Sequence, residues 1–296
     1  MLHFVFASQP EFKMIKVAIA GTGGLAQLIA RHLDQDTSHQ FVLLSRKENS
    51  GLNENGYQVI PVDYNDPHSL QYALSGIDTV ISTVTGMPEL NLVDAAVAMG
   101  VRRFAPAEFE GSPTVRTLDI LDRMRTPVLE RLHYYGNHIE FTVFVCGIFY
   151  ERFAPGGMAS LGIGIGSGIS GEGDYLMDVR NARAEIPCDP SGRLINICMT
   201  SADDVAKYVV RALDLPSWPA ELSMCGQRQD VFQVVQQAQS VMGHSFQTTL
   251  QTAETLANVL THYQSLYDYA GQLRTQSLIA TLNGRYDFAD ATLNNI

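Results

Sequence analysis

The residues Gly21 to Ala26 read GTGGLA and carry the spacing G-x-G-x-x-A. That pattern suits the binding of a diphosphate. Gly21 lets the chain reverse tightly, Gly23 leaves bare backbone among Thr22, Gly24 and Leu25, and Ala26 lets a helix close on a strand. The first amides of the helix then face the anion. Such turns also occur without a ligand, but here an apolar run precedes the motif and a helical pattern follows it, which favours a dinucleotide site.

The second cluster is Ser45-Arg46-Lys47, at the tip of the next apolar segment. An acid at this position grips the ribose hydroxyl of NAD, whereas a hydroxyl and two cations suit a 2′-phosphate, so the expected cofactor is NADP(H). Arg46 can stack on adenine and fork onto phosphate oxygens. A solvated basic loop is the plainer alternative. Asp63 is a candidate acceptor for the adenine amino group. The stretch STVTG from Ser82 to Gly86, with Thr83, Val84 and Thr85, is expected beneath the ribose and nicotinamide. Ordinary loop chemistry would account for either equally well.

Proton transfer near neutral pH needs a group whose pKa can be tuned. Glu108 and Glu110 follow a strand end, where ligands bind in open α/β sheets, although a solvated carboxylate is the simpler reading of each. Tyr150 closes a later strand beside Glu151 and Arg152, and either faces the pocket or covers the core edge. His133, Tyr134 and Tyr135 read as structural. The histidines show neither His pairing at i,i+4 nor a carboxylate pattern suited to a metal, and no metal is expected.

The elements that must position these groups alternate. IKVAIA at Ile15 to Ala20 reads as a strand buried on both faces. A helix from Gly24 to Leu33 follows, then strands at Phe41 to Ser45, within YQVIPVDY, at Asp78 to Val84 and in VRRFAP. Helices at Asp66 to Ser75 and Asn91 to Met99 separate them, the second ending in a left-handed Gly100. The spacing predicts a helical stretch over Thr117 to Tyr135, kinked at Pro127 or restarted with Thr126 as cap. IEFTVFVCGIF reads as one strand. The expected fold class is α/β, a Rossmann-type doubly wound parallel sheet with a smaller C-terminal α+β substrate domain. The divisions are an extension over residues 1–14, an NAD(P)-binding domain over 15–150, and a mostly helical substrate domain with short strands over 151–296. Six glycines between Gly162 and Gly173 suit a mobile lid better than an element interior, with a disordered connection as the alternative. Helices are expected at Ser201 to Leu213, Asp230 to Met242 and through Ala253 to Ala280.

The chain of 296 residues has a net charge of −11, which argues against a nucleic-acid partner and for a small molecule. Cys146, Cys188, Cys198 and Cys225 lack metal or disulfide spacing, in keeping with a reducing cytoplasm. The start MLHFVFASQPEFKM lacks the features of a secretory signal, and no apolar run is long enough for a membrane span. A soluble cytoplasmic protein is expected, with oligomerisation not indicated.

IKVAIAGTGGLAQLIARHL, VDYNDPHSLQYALSGIDTVISTV, GVRRFAPAEF and LINICMTSADDVAKYVVRALDLP together resemble the isoflavone-reductase-like and NmrA-like branch of the atypical short-chain dehydrogenases. The resemblance spans roughly residues 14–245, and FYERFAPGG and GRYDFADATLN are similar to fungal members. It implies an NADPH-binding Rossmann domain, a smaller substrate domain, and either reduction of small aromatic metabolites or cofactor sensing. Reductases of the branch carry a lysine early in the helix after the fifth strand. Here the lysines are Lys13, Lys16, Lys47 and Lys207, and the nearest matching position holds Arg125. A guanidinium does not exchange protons at neutral pH, but it can clamp an anion. Tyr-x-x-x-Lys is absent too, since Leu43 and Asp203 stand four residues before Lys47 and Lys207. AEFE at Ala107 to Glu110 replaces the branch's S-E-F-G. Three functions follow. The first is an NADPH-dependent reductase of an aromatic or polycyclic metabolite, its proton coming from water, substrate, Glu108 or Tyr150. The second is a non-redox isomerase, dehydratase or cyclase, and the third a non-catalytic NADP sensor.

Overall fold

The computed structural model describes residues 14–117 and 119–295. Apart from Met14, the extension assigned to residues 1–14 lies outside the described residues. IKVAIA forms β1 (Lys16–Ala20), in which Val17 to Ala20 are fully buried because elements pack on both faces. There follow α1 (Gly24–Asp36), β2 (Gln40–Ser45), α2 (Ser50–Glu54), β3 (Val59–Pro61), α3 (Pro67–Ala73) and β4 (Thr79–Ser82). Next come α4 (Met87–Ala98), β5 (Arg103–Ala105), α5 (Arg125–Tyr134) and β6 (Glu140–Phe141). The strands lie in the order β3-β2-β1-β4-β5-β6, all parallel, with Ile19 registered between Leu43 and Ile81. This is the Rossmann-type order the sequence led us to expect, and its reversal between β1 and β4 opens a crevice at the carboxyl ends of the strands.

Three local expectations are corrected. α4 begins at Met87 rather than Asn91, since Gly86, at φ 83, turns the chain and Pro88 suits a first helical turn. α5 begins at Arg125, not at Thr117 or Thr126. The Asp122 carboxylate accepts the Thr126 amide at 3.1 Å and also its hydroxyl, so Asp122, two residues before the Met124 cap position, satisfies a first-turn amide, and Pro127 sits harmlessly in the first turn. The run IEFTVFVCGIF is not one strand. It divides into β6, β7 (Val143–Val145) and β8 (Ile148–Phe149), with Gly147 at φ 70 breaking the extended backbone.

The later strands are β9 (Met177–Asp178), β10 (Arg183–Pro187), β11 (Asn196–Thr200), β12 (Glu221–Ser223), β13 (Gln227–Asp230) and β14 (Gln247–Gln251). The helices are α6 (Ala202–Ala212), α7 (Val231–Met242), α8 (Ala253–Ser265) and α9 (Tyr269–Leu282). β7 pairs with β12 and β8 with β11, which ties the end of the first half to the second. α6 also returns to pack on α1, burying Val205 and Val209 in one core with Ile29 and Leu33. The fully buried Arg103 secures this return. It is bonded to Glu140 at 2.5 Å and to the carbonyls of Leu213 and Leu215, and lies over the Trp218 ring. A separate core joins Ile148, Ile186, Ile197, Val235, Leu273 and Tyr286.

Candidate active site

One cleft of about 1080 Å³ runs along the carboxyl ends of the central strands. Its first half is lined by Gly21 to Ala26, Leu44 to Asn49, Tyr64 and Thr83 to Thr85. Gly21 stands at φ 108, and a Cβ there would fall 2.3 Å from Thr83 Oγ1, so only glycine fits the turn. The Thr22 and Gly23 amides have no acceptor among the described residues, and they stand at the amino end of α1. The arrangement offers unpaired donors and helix-end charge to a diphosphate. Arg46 and Lys47 are exposed at the tip of β2. Arg46 is near enough to Tyr64 to oppose the upward push that burial gives that phenol. These residues fit a dinucleotide with a 2′-phosphate.

Asp63 is not brought to the cleft. Its carboxylate accepts the Asn65 amide at 2.9 Å in a local turn, and the neighbouring Tyr64 lines the wall instead. Thr83, Val84 and Thr85 do line it, with the Thr83 hydroxyl donating to the Ala20 carbonyl at 2.8 Å.

The second half of the cleft is formed by Phe109, Glu110, Leu121, Arg123, Arg125, Phe149, Arg152, Met158, Ile169 and Tyr269, with Gly162 to Ser167 crossing above. Neither Glu108 nor Glu110 is a solvated loop carboxylate. Glu108 is 1% exposed, bonded to Arg116 at 2.5 Å, and does not line the cleft. Glu110 accepts from Arg125 at 2.5 Å, Arg285 at 2.9 Å and the Tyr286 hydroxyl at 3.2 Å. Burial alone would raise its pKa, yet the guanidinium groups of Arg285, Arg125 and Arg152 hold it well below the usual carboxylate range. Such a group is a fixed anion rather than a proton carrier. Arg125, expected as an anion clamp, is committed to Glu110.

Tyr150 is turned away from the cleft by the 3-10 turn Tyr150–Phe153, and its hydroxyl lies 3.5 Å from Gln227 Oε1. Glu151 caps α6 through the Ala202 amide at 3.0 Å, and Arg152 is the member of the trio that faces inward.

Sequence reasoning missed Glu89. This residue of α4 is 1% exposed and accepts the Ala107 amide at 2.6 Å. Burial raises its pKa to about 7, against the Ala107 amide and the Ser82 hydroxyl, which lower it. A glutamate in a helix's first turn ordinarily reads as a dipole partner, so the signal was ambiguous.

The glycine-rich run is a packed cover. The Gly162 carbonyl accepts the Gly24 amide at 2.9 Å, Arg123 donates to the Ser167 carbonyl at 2.6 Å, and Arg152 donates to the Ile169 carbonyl at 2.8 Å. Among the described residues no group of three or more His, Cys, Asp or Glu side chains could hold a metal. Among them, too, no helix is long and apolar enough to cross a membrane.

The pattern for the NmrA-like family matches residues 13–277. The chain belongs to the NmrA-like family. This NmrA-like protein is 29% identical over 249 residues to the oxidoreductase BOA1 of Botryotinia fuckeliana, covering 79% of this chain and 78% of the relative. It is 33% identical over 147 residues to the oxidoreductase aprR of Aspergillus flavus, covering 46% and 50% respectively. Its fold is similar to AtPrR2 solved with NADP+ and (+)pinoresinol, at TM-score 0.73 and 16% identity over 95% of this chain and 94% of that one. It is also similar to the leucoanthocyanidin reductase–NADPH complex from Vitis vinifera, at TM-score 0.69 and 18% identity over 93% and 89%. A third likeness is to the triphenylmethane reductase of Citrobacter sp. complexed with NADP(H), at TM-score 0.67 and 15% identity over 95% and 94%. At these identities the structural likeness is one of fold.

Proposed function

We propose that this protein is an NADP(H)-dependent reductase of a small aromatic or polycyclic metabolite, acting in the cytoplasm. The observation that carries the reading is the continuity of the cleft from the GTGGLA turn and the Ser45-Arg46-Lys47 tip to a chamber walled by Phe109, Phe149 and Tyr269. Aromatic walls favour a flat, apolar substrate body. The names of its relatives as oxidoreductases, and the NADP(H) held by proteins of similar fold, support the same reading.

Bound NADPH would supply two electrons as hydride, with the balancing proton drawn from water. The chain's own part is positioning. Gly21 to Leu25 would hold the diphosphate, Ser45, Arg46 and Lys47 the 2′-phosphate, and Thr83 to Thr85 the ribose and nicotinamide. The glycine-rich cover would exclude bulk water.

A second reading is an isomerase, dehydratase or cyclase on the same fold, with no net hydride transfer. Like the reductase it would draw its protons from water or substrate, since among the described residues lining the far half of the cleft there is no lysine or histidine and its one carboxylate, Glu110, is held ionised. Stopped-flow absorbance of the nicotinamide ring, followed with product analysis, separates these readings. Substrate-dependent loss of NADPH is expected. Conversion without NADPH loss would replace the reductase by the second reading, and tight NADPH binding with no conversion of any candidate would leave a sensor.

A further inference from the structure

Two guanidinium groups in the far half of the cleft have no acid of their own. Arg123 and Arg152 bond to the carbonyls of Ser167 and Ile169, and neither forms an ion pair with a carboxylate among the described residues. Glu110 lies within their electrostatic reach but is already shared by Arg125, Arg285 and Tyr286. Glu108 and Asp122 are taken up by Arg116. Arg152 Nε and Arg125 Nε are buried donors with no acceptor among the described residues. Burial and the neighbouring Arg125 cation both lower the pKa of Arg123.

Cations drawn out of water without a counter-ion are costly, and unpaired buried donors add to that cost. A ligand anion would relieve both. The phosphates of a dinucleotide do not fill this role, because the crevice they would occupy runs from the tip of β2 to β4, where Arg46, Lys47 and the start of α1 already stand. Arg123 and Arg152 line the other part of the cleft with Leu121, Phe149 and Ile169. A planar guanidinium matches the two oxygens of a carboxylate better than a lysine does.

We propose that the substrate is a carboxylate with an apolar or aromatic body, its carboxylate held by Arg123 and Arg152 beneath the glycine-rich cover. This rests on the reductase reading for the word substrate, though the anion site itself does not. The same two arginines bind the cover, so an anion there ties the cover to the floor of the chamber.

The test is isothermal titration of the NADPH-loaded and the nucleotide-free protein with benzoate, trans-cinnamate and 2-naphthoate, each against its uncharged amide. At least one carboxylate is expected to bind about tenfold more tightly than its amide, as one charge-assisted bond would give. Arg123→Gln and Arg152→Gln should each cut that preference, and the double variant should abolish it. Equal affinity for acid and amide in the unmodified protein would overturn the proposal, as would failure of all three carboxylates to bind, or a preference that survives the double variant. The acid-to-amide ratio in the unmodified protein is informative even where a variant does not fold. Carboxylate preference without NADPH binding would sink the reductase reading alone, whereas NADPH binding without preference would sink the anion site alone.

Discussion

The amide of Gly24, the first residue of α1, donates to the carbonyl of Gly162 at 2.9 Å, joining the GTGGLA turn to a segment far along the chain. The approach is so close that a Cβ on residue 24 would fall 1.8 Å from the Leu161 carbonyl oxygen and 2.9 Å from Ile163 Cγ1. Backbone against backbone leaves no rotamer by which to escape. Gly24→Ala should therefore lift the cover and destabilise the protein by about 1–3 kcal/mol, the usual range for an overpacked contact. Hydrogen exchange across residues 157–169 should accelerate while β1 and β4 keep their protection. Unchanged exchange in that segment would show that turn and cover are independent.

The tip of β2 makes a separate prediction about nucleotide choice. Arg46 and Lys47 are exposed cations, and a bidentate guanidinium–phosphate contact is stronger than a point-charge contact. Arg46→Ala should weaken NADPH binding by about tenfold or more and leave NADH binding nearly unchanged. Titrating both nucleotides by fluorescence would decide the matter, since equal losses contradict a 2′-phosphate role.

What could be read from the sequence was what short stretches decide. GTGGLA must turn and bare its backbone whatever the rest of the chain does, and IKVAIA has no polar face to expose. The Ser45 tip and Thr83 to Thr85 follow because parallel strands bring their carboxyl ends together. Glu110 was ambiguous because its partner Arg285 lies 175 positions away, and no local pattern announces that meeting. Arg152 rather than Tyr150 reaches the cleft because the strand gives way to a 3-10 turn, in which residues two apart no longer share a face. Asp63 was displaced by a competing local bond to Asn65, a habit of aspartate in turns.

Glu89 gives stability a dependence on pH in the unusual direction. Its pKa rises from the ordinary 4.5 to about 7 on folding, so the folded state binds the proton more tightly. The favourable contribution is complete below about pH 4.5 and is lost as pH rises through about 7. At about 1.4 kcal/mol per pKa unit, the loss is on the order of 3 kcal/mol. Glu89→Gln keeps an acceptor for the Ala107 amide and cannot ionise. Urea unfolding should show the variant gaining on the unmodified protein as pH is raised from about 5 to about 8. A gap that stays constant would mean that Glu89 is ionised throughout.

Glu110 acts with the opposite sign. The guanidinium groups of Arg285 and Arg125 depress its pKa below the unfolded value despite burial, so its contribution is present above about pH 4.5 and is lost as pH falls toward the depressed value. Glu110→Gln leaves both cations without a counter-charge inside the protein, and breaking a buried pair in this way costs about 3–5 kcal/mol. The variant should unfold at markedly lower urea concentration at about pH 7. Acidification below about pH 4.5 should then narrow its deficit, because the unfolded chain takes up a proton that folded Glu110 does not, and the unmodified protein loses stability accordingly. A deficit that does not narrow would locate the loss in packing around Tyr286 rather than in the ion pairs.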